Sequence, residues 1–256
     1  MTTKIKTAVL FSDTHVPYQD EPTLNIIEQV TSEVQPDQVI HLGDLLDCYT
    51  ISRFLKDPTR MEGLQEEIDE AKKVLERFSR VAPKAKKTLL EGNHEARLSK
   101  TIASMDGPAR ELARLESFQE AMKWPSLLNL GKTKWGWIPD SQQPTTELIP
   151  NMLFKHGSVV RKFSGYTARG EWENYGMSGM SGHTHRAGIY NHTTIRGSSF
   201  WVETGCTCSL KPEYMVHPNW QNAFVVLTYD NSGPQSVESI QVEAGKAVFR
   251  GNIYKG

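Results

Sequence analysis

The chain has 256 residues, enough for one large α/β domain and short for two independent ones. Its 29 Lys and Arg stand against 30 Asp and Glu, so a net charge of −1 excludes a global attraction for nucleic acid or anionic membrane and leaves only local basic grips. Three cysteines, Cys48, Cys206 and Cys208, none in a four-ligand zinc spacing, fit reduced thiols in a cytoplasmic protein better than a disulfide framework.

The N-terminal residues Met1–Lys6 run into Ala8–Phe11, an apolar stretch far too short for a signal segment or a membrane span, and no later segment approaches roughly twenty apolar residues. Ile5–Ser12 reads as a buried strand that empties into Asp13 and His15. Pro22 suits a first helical turn, and Leu24, Ile27, Val30 and Val34 follow at helical spacing. Gln38–Leu42 predicts a second strand, emptying into Gly43-Asp44 with Asp47 beyond. A charged amphipathic helix is expected from about Gly63 to Arg80, with Leu64, Ile68, Leu75 and Phe78 on one face. Thr88–Glu91 then predicts a third strand, ending at Gly92-Asn93-His94-Glu95. This repetition of strand, loop and helix argues for βαβ units whose loops gather along one sheet edge.

From about 105 to 150 the periodicity weakens while Pro108, Pro125, Pro139, Pro144 and Pro150 accumulate with Trp124, Trp135 and Trp137, which reads as an insertion or cap with a partly helical start. Strands dominate afterwards: Met152–Lys155 before His156-Gly157, Met177–Ser181 before Gly182-His183-Thr184-His185, then Gly188–Ile195, Phe200–Glu203, Ala223–Tyr229 and a closing pair near Val237–Val242 and Ala247–Tyr254. A mixed or antiparallel second sheet packed on the first would bury them.

Five clusters of Asp, His and Asn therefore fall where strands run out into loops. Hard oxygen and borderline nitrogen donors in this number suit two divalent first-row ions close enough to share one hydroxide. Asp13 with His15, and His183 with His185, stand two residues apart and would point the same way off extended backbone. Glycines 43, 92, 157 and 182 would let the chain turn sharply beside the ions.

Taken in order, D-x-H, G-D-x-x-D, G-N-H-E, H and G-H-x-H, the clusters from Asp13 to His185 resemble the calcineurin-like metallophosphoesterase superfamily. The resemblance implies one domain over 1–256, an α/β fold of two mixed sheets flanked by helices in a four-layer αββα β-sandwich. It implies that Asp13, His15 and His185 hold one metal, Asn93, His156 and His183 the other, and that Asp44 bridges them. His94 would act on the leaving group as general acid, and Asp47 would keep that histidine oriented and protonated. The cofactor implied is a pair of divalent ions, Mn²⁺ first, with iron, nickel or zinc as alternatives. The reaction implied is hydrolysis of a phosphoester by the metal-bridging hydroxide.

Departures from subfamily patterns narrow the substrate. Ser/Thr protein phosphatases of this superfamily carry Arg-Gly after the second Asp and an Arg before G-N-H-E, where this chain has Cys48-Tyr49 and Glu91. Purple acid phosphatases carry a metal-binding Tyr that is missing after Asp44. What remains is the bacterial and phage group of phosphodiesterases, nucleotide phosphatases and nucleases, and the expected substrate is a phosphodiester in a nucleotide or a nucleic-acid end. The alternatives are a phosphomonoesterase acting on nucleotides or proteins, and a silent metal-binding scaffold; scaffolds of this fold typically lack the catalytic histidine, and His94 is present. Arg97 and Arg161 are the candidates to neutralise substrate phosphate, whereas Arg53, Lys162 and Arg169 read as solvated charges. His41 reads as a core histidine, Cys48 as a packed thiol, Cys206-x-Cys208 as a poor zinc spacing, and the Trp-rich stretch as packing in the cap.

Overall fold

A computed structural model of the chain describes residues 4–56, 63–195, 197–212 and 216–256; Met1–Thr3, where the N-terminal reading begins, lie outside them. Its first half contains β1 (Lys6–Phe11), α1 (Glu21–Val34), β2 (Gln38–His41), α2 (Leu64–Val81), β3 (Lys86–Leu90), α3 (Ala96–Ala103) and four short helices, α4 (Gly107–Ala113), α5 (Glu116–Ala121), α6 (Trp124–Leu127) and α7 (Leu130–Thr133). The second half runs through β4 (Trp135–Ile138), β5 (Thr145–Ile149), β6 (Met152–Lys155), α8 (Tyr166–Tyr175), β7 (Gly179–Ser181), β8 (Ala187–Thr194), β9 (Gly197–Thr204), β10 (Ala223–Asp230), β11 (Gly233–Gln241), β12 (Lys246–Phe249) and β13 (Asn252–Lys255).

Strand order in the first sheet is β11-β10-β1-β2-β3-β4, and in the second β5-β6-β7-β9-β8. β1 to β4 are mutually parallel, as βαβ crossovers require, and β10 closes against β1 antiparallel. The continuous apolar run of β1 follows from burial on both faces. Ala8 and Leu10 face the second sheet and pack with Phe154, Met180 and Val202, while Val9 and Phe11 face α1 and α2 and pack with Ile27, Leu75 and Phe78. On the far side of the second sheet, Ala168 of α8 packs with Trp201 and Leu153. The layers are therefore helices, sheet, sheet, helix, which is the four-layer architecture that the resemblance implies. Among the described residues no helix is long and apolar enough to cross a membrane.

Local chemistry accounts for the helix starts. Asp20 caps α1 by accepting from the Thr23 amide at 2.9 Å, with Pro22 in the first turn. Glu66 reaches back to the Gly63 amide at 2.9 Å at the start of α2.

Three expectations are corrected, and one helix had no expectation behind it. The stretch from 105 to 150 is not wholly appended: β4 extends the first sheet beside β3, and β5 the second beside β6. Short strands among prolines have no alternation long enough to read. β10 and β11 join the first sheet, not the second, and residues 247–254 form a hairpin broken at Arg250-Gly251. Helix α8 was unexpected, because its buried face is Thr167, Ala168, Gly170 and Glu171, which gives no apolar period.

Candidate metal centre

The parallel strands β1, β2 and β3 deliver Asp13, Asp44 and Asn93 at their C-terminal ends, and β6 and β7 of the second sheet deliver His156, His183 and His185 from the opposite side. The two sets meet. His185 Nε2 lies 3.3 Å from Asp13 Oδ1 and 3.1 Å from His15 Nε2, while His156 Nε2 lies 3.2 Å from Asp44 Oδ2 and 2.9 Å from Asn93 Oδ1. His183 Nδ1 is 3.3 Å from His156 Nε2. Asp44 Oδ2 is also 3.7 Å from His15 Nε2, so this carboxylate stands between the two groups. Ligand atoms of Asp13, His15 and His185, and likewise of Asp44, His156 and His183, lie within 4.8 Å of one another.

The rings are held so that one nitrogen faces inward. His15 Nδ1 is 3.1 Å from Asp47 Oδ1, His156 Nδ1 is 3.0 Å from the Leu42 carbonyl, and His185 Nδ1 is 3.8 Å from Cys208 Sγ. A partner on the outer nitrogen fixes the tautomer and leaves Nε2 as a donor pair for an ion. The oxygen and imidazole donors thus fit divalent first-row ions.

Backbone geometry here is not what period-two spacing suggests. Asp13, His15, Asp44, His183 and His185 all have positive φ, from 48° to 71°, so neither pair sits on extended chain. Left-handed turns bring the side chains together instead. The glycines also divide. Gly43 and Gly157 take φ of 99° and 121°, whereas Gly92 and Gly182 serve close approach: a Cβ on Gly92 would lie 2.1 Å from Asp44 Oδ1, and one on Gly182 2.4 Å from Asp13 Oδ2.

Charge is concentrated in the centre. Burial by itself pulls His156 down, but Asp44 beside it holds the ring up at about 10, and Asp13 does the same for His185. Asp13 and Asp44 are correspondingly held low despite their burial. In the metal-free protein the raised histidines contribute stability that is complete below the ordinary value of about 6.5 and is lost as pH rises through about 10. Binding an ion must displace those protons, so its affinity rises over the same window. Thermal melts across that range, with and without Mn²⁺, should show the metal-free midpoint falling and the metal-induced gain growing. A gain independent of pH would contradict this.

His94 and Asp47 lie beside the cluster. His94 Nδ1 is 2.7 Å from the Asp47 carbonyl and 3.4 Å from its carboxylate, so the backbone oxygen, more than the side chain, orients the ring. Arg97 donates to the same carbonyl at 2.7 Å and lies 2.9 Å from His94 Nε2. Arg97 is thus committed to the protein, and Arg161 lies along α8 with Nε near Gly170. Arg97 reaches the cluster through His94.

Glu95 supports the site from behind the loops that carry Asp44 and Asn93. Fully buried, it accepts from the amides of Asp44 at 3.0 Å, Leu46 at 2.9 Å and Gly92 at 2.8 Å, tying two ligand loops together. Burial and the neighbouring Asp44 push its carboxyl up to about 7 against the pull of those amides. The only signal for this in sequence is the fourth residue of G-N-H-E. His41 is the satisfied core histidine expected, 2.8 Å from Thr14 Oγ1, and Cys48 is a fully buried thiol. Cys206 and Cys208, unpromising by spacing, come within 4.8 Å of His185 through the fold.

The pattern of the calcineurin-like phosphoesterases matches residues 6–187, across every one of these loops. The chain belongs to that family. It is therefore a metal-dependent hydrolase acting on phosphoesters. Over nearly its whole length this phosphoesterase is similar to the Gene 54 proteins of Mycobacterium phages D29 and L5, at 26% identity in both, covering 98% of this chain and 99% of each relative. Solved structures resemble it distantly. Zinc-bound Vps29 from Entamoeba histolytica aligns with a TM-score of 0.45 and 10% identity, over 96% of this chain and 95% of that one. The nuclease MPE of Pseudomonas putida aligns with a TM-score of 0.38 and 15% identity, over 91% and 86%.

Proposed function

We propose that the chain, acting as one domain, hydrolyses a phosphodiester in a nucleotide or nucleic acid with two divalent ions, Mn²⁺ foremost. Asp13, His15 and His185 would hold one ion, Asn93, His156 and His183 the other, with Asp44 shared. Such a pair of ions lowers the pKa of a shared water and neutralises phosphoryl charge. The protein's own part is to orient. Asp47 fixes His15 from outside the cluster, Leu42 fixes His156, and the Asp47 carbonyl holds His94 Nδ1 so that Nε2 faces the space beside Asp44, 3.9 Å from Oδ2. For His94 to protonate a leaving oxygen, Arg97 must release Nε2, and its guanidinium then stands beside the departing group.

The commitment of Arg97 supports the diester reading. A monoester dianion calls for a cation besides the ions, and Arg97, the candidate beside the cluster, is held by the Asp47 carbonyl and by His94. A diester carries a single negative charge and needs none. Hydrolysis of bis-p-nitrophenyl phosphate beside p-nitrophenyl phosphate with added Mn²⁺ tests this: preference for the diester is expected, and preference for the monoester would refute it. In the same assay His94→Ala should lose about 10²- to 10⁴-fold in turnover while retaining its metal content. Loss of the metal together with the activity would instead make His94 a ligand.

A further inference from the structure

Between His156-Gly157 and α8 the chain makes a loop, Ser158–Gly165, whose backbone is tied down while the side chains of residues 160–163 face out. Ser158 and Val159 amides donate to Glu171 at 3.3 and 3.4 Å, the Arg161 amide donates to Thr167 Oγ1 at 3.1 Å, and the Gly165 amide donates to Glu203 at 2.7 Å. Ser164 Oγ donates to the Ala187 carbonyl, and Arg186 donates to the Arg161 carbonyl. Glu171 and Glu203 are fully buried, so both carboxylates point inward. Glu203 also accepts from Thr184 Oγ1 at 2.8 Å, between His183 and His185, which fixes the loop's position relative to the metal centre.

The outward face is apolar, aromatic and cationic. Val160 is 56% exposed, Phe163 49% and Tyr166 60%. The two rings meet edge to face with centroids 5.4 Å apart, and Lys162 Nζ lies 5.3 Å from the Phe163 centroid. Arg161 is exposed on the same loop, while Arg169 is engaged by Glu173 at 2.7 Å and adds nothing.

We propose that this loop is a docking platform for single-stranded nucleic acid, on which unpaired bases stack against Phe163 and Tyr166 while Lys162 and Arg161 meet the backbone phosphates on either side. A base needs a flat exposed ring, and the phosphates between bases need cations at short intervals; the loop interleaves both within a few residues. A net charge of −1 over the chain makes such a patch local, not general. The prior anchoring matters, because a platform already ordered loses little freedom on binding. A duplex, with its base faces already stacked, gains nothing from the rings. The proposal rests on the phosphodiester reading, since it supplies that same site with its polymer.

The test is anisotropy of an end-labelled oligothymidylate of about 12 nucleotides, within the site sizes that single strands occupy, with metal-loaded protein in a His94→Ala background so that the probe survives. Phe163→Ala should weaken binding about tenfold, Phe163→Trp should restore it, and Lys162→Gln should reduce the slope of log affinity against log salt by about 0.7. Unchanged affinity in Phe163→Ala overturns the platform. So does equal binding of a blunt duplex, or no binding of the oligonucleotide at all, which would leave the loop to a protein partner. Bis-p-nitrophenyl phosphate turnover by the parent protein separates the two ideas. Diester cleavage with an unaffected Phe163→Ala sinks the platform alone, whereas weakened oligonucleotide binding without any diester cleavage sustains the platform and sinks the reaction.

Discussion

Replacing Asp44 with Asn should reduce diester turnover by about 10³-fold or more, with loss of bound metal, while the fold survives. Asn keeps the shape of the side chain and can still accept the His94 amide, which reaches Asp44 Oδ1 at 2.9 Å. What it removes is the negative charge facing His156 at 3.2 Å and His15 at 3.7 Å, the one carboxylate shared by the two donor groups. Loss of several kcal/mol of charge stabilisation corresponds to that fall in rate. Metal content by plasma emission, beside turnover, checks it. A variant with full metal content and parental rate would remove Asp44 from the centre.

Glu95→Ala should be the most damaging change away from the ions, costing about 3–5 kcal/mol in stability. It strands three buried amides at once, those of Asp44, Leu46 and Gly92. It also leaves a void beneath the loop that carries Asp44, so turnover should fall with stability. Glu95→Gln presents its amide group to a backbone donor and should cost less, about 1–3 kcal/mol. Denaturant unfolding of both variants measures the difference. A midpoint for Glu95→Ala close to that of the parent would mean that water replaces the carboxylate and that the loops hold without it.

The cluster of the candidate metal centre was legible because its parts are short, local and chemically distinctive. Asp13-x-His15, Gly43-Asp44, Asn93-His94 and His183-x-His185 each sit at the end of an apolar run, and β1, β2 and β6 fall where the patterning puts them. Residues that support the centre from a distance were not legible. Glu203 lies 19 residues beyond Thr184, and Glu171 lies 16 beyond Lys155, its ion-pair partner at 3.1 Å; nothing in spacing joins them. Helix α8 was hidden for the same reason, since the face it buries bonds through carboxylates and not through an apolar stripe. The left-handed backbone at Asp13, His15, His183 and His185 was misread as extended, because side-chain spacing says nothing of φ in a loop. Arg97 drew attention by its charge, yet the fold spends that charge on the Asp47 carbonyl and on His94.

Five non-glycine residues in the left-handed region at one site also bear on how this protein would answer selection for heat resistance. Each such residue costs of the order of 1 kcal/mol relative to a relaxed backbone, and Gly at the same position would relieve that cost while deleting a side chain of the cluster. His15→Gly would nonetheless melt lower than the parent, because the buried imidazole it removes leaves a void and strands Asp47, which it meets at 3.1 Å, and these losses exceed the strain relieved. Heat selection would therefore leave these backbone costs in place and find its gains elsewhere in the fold.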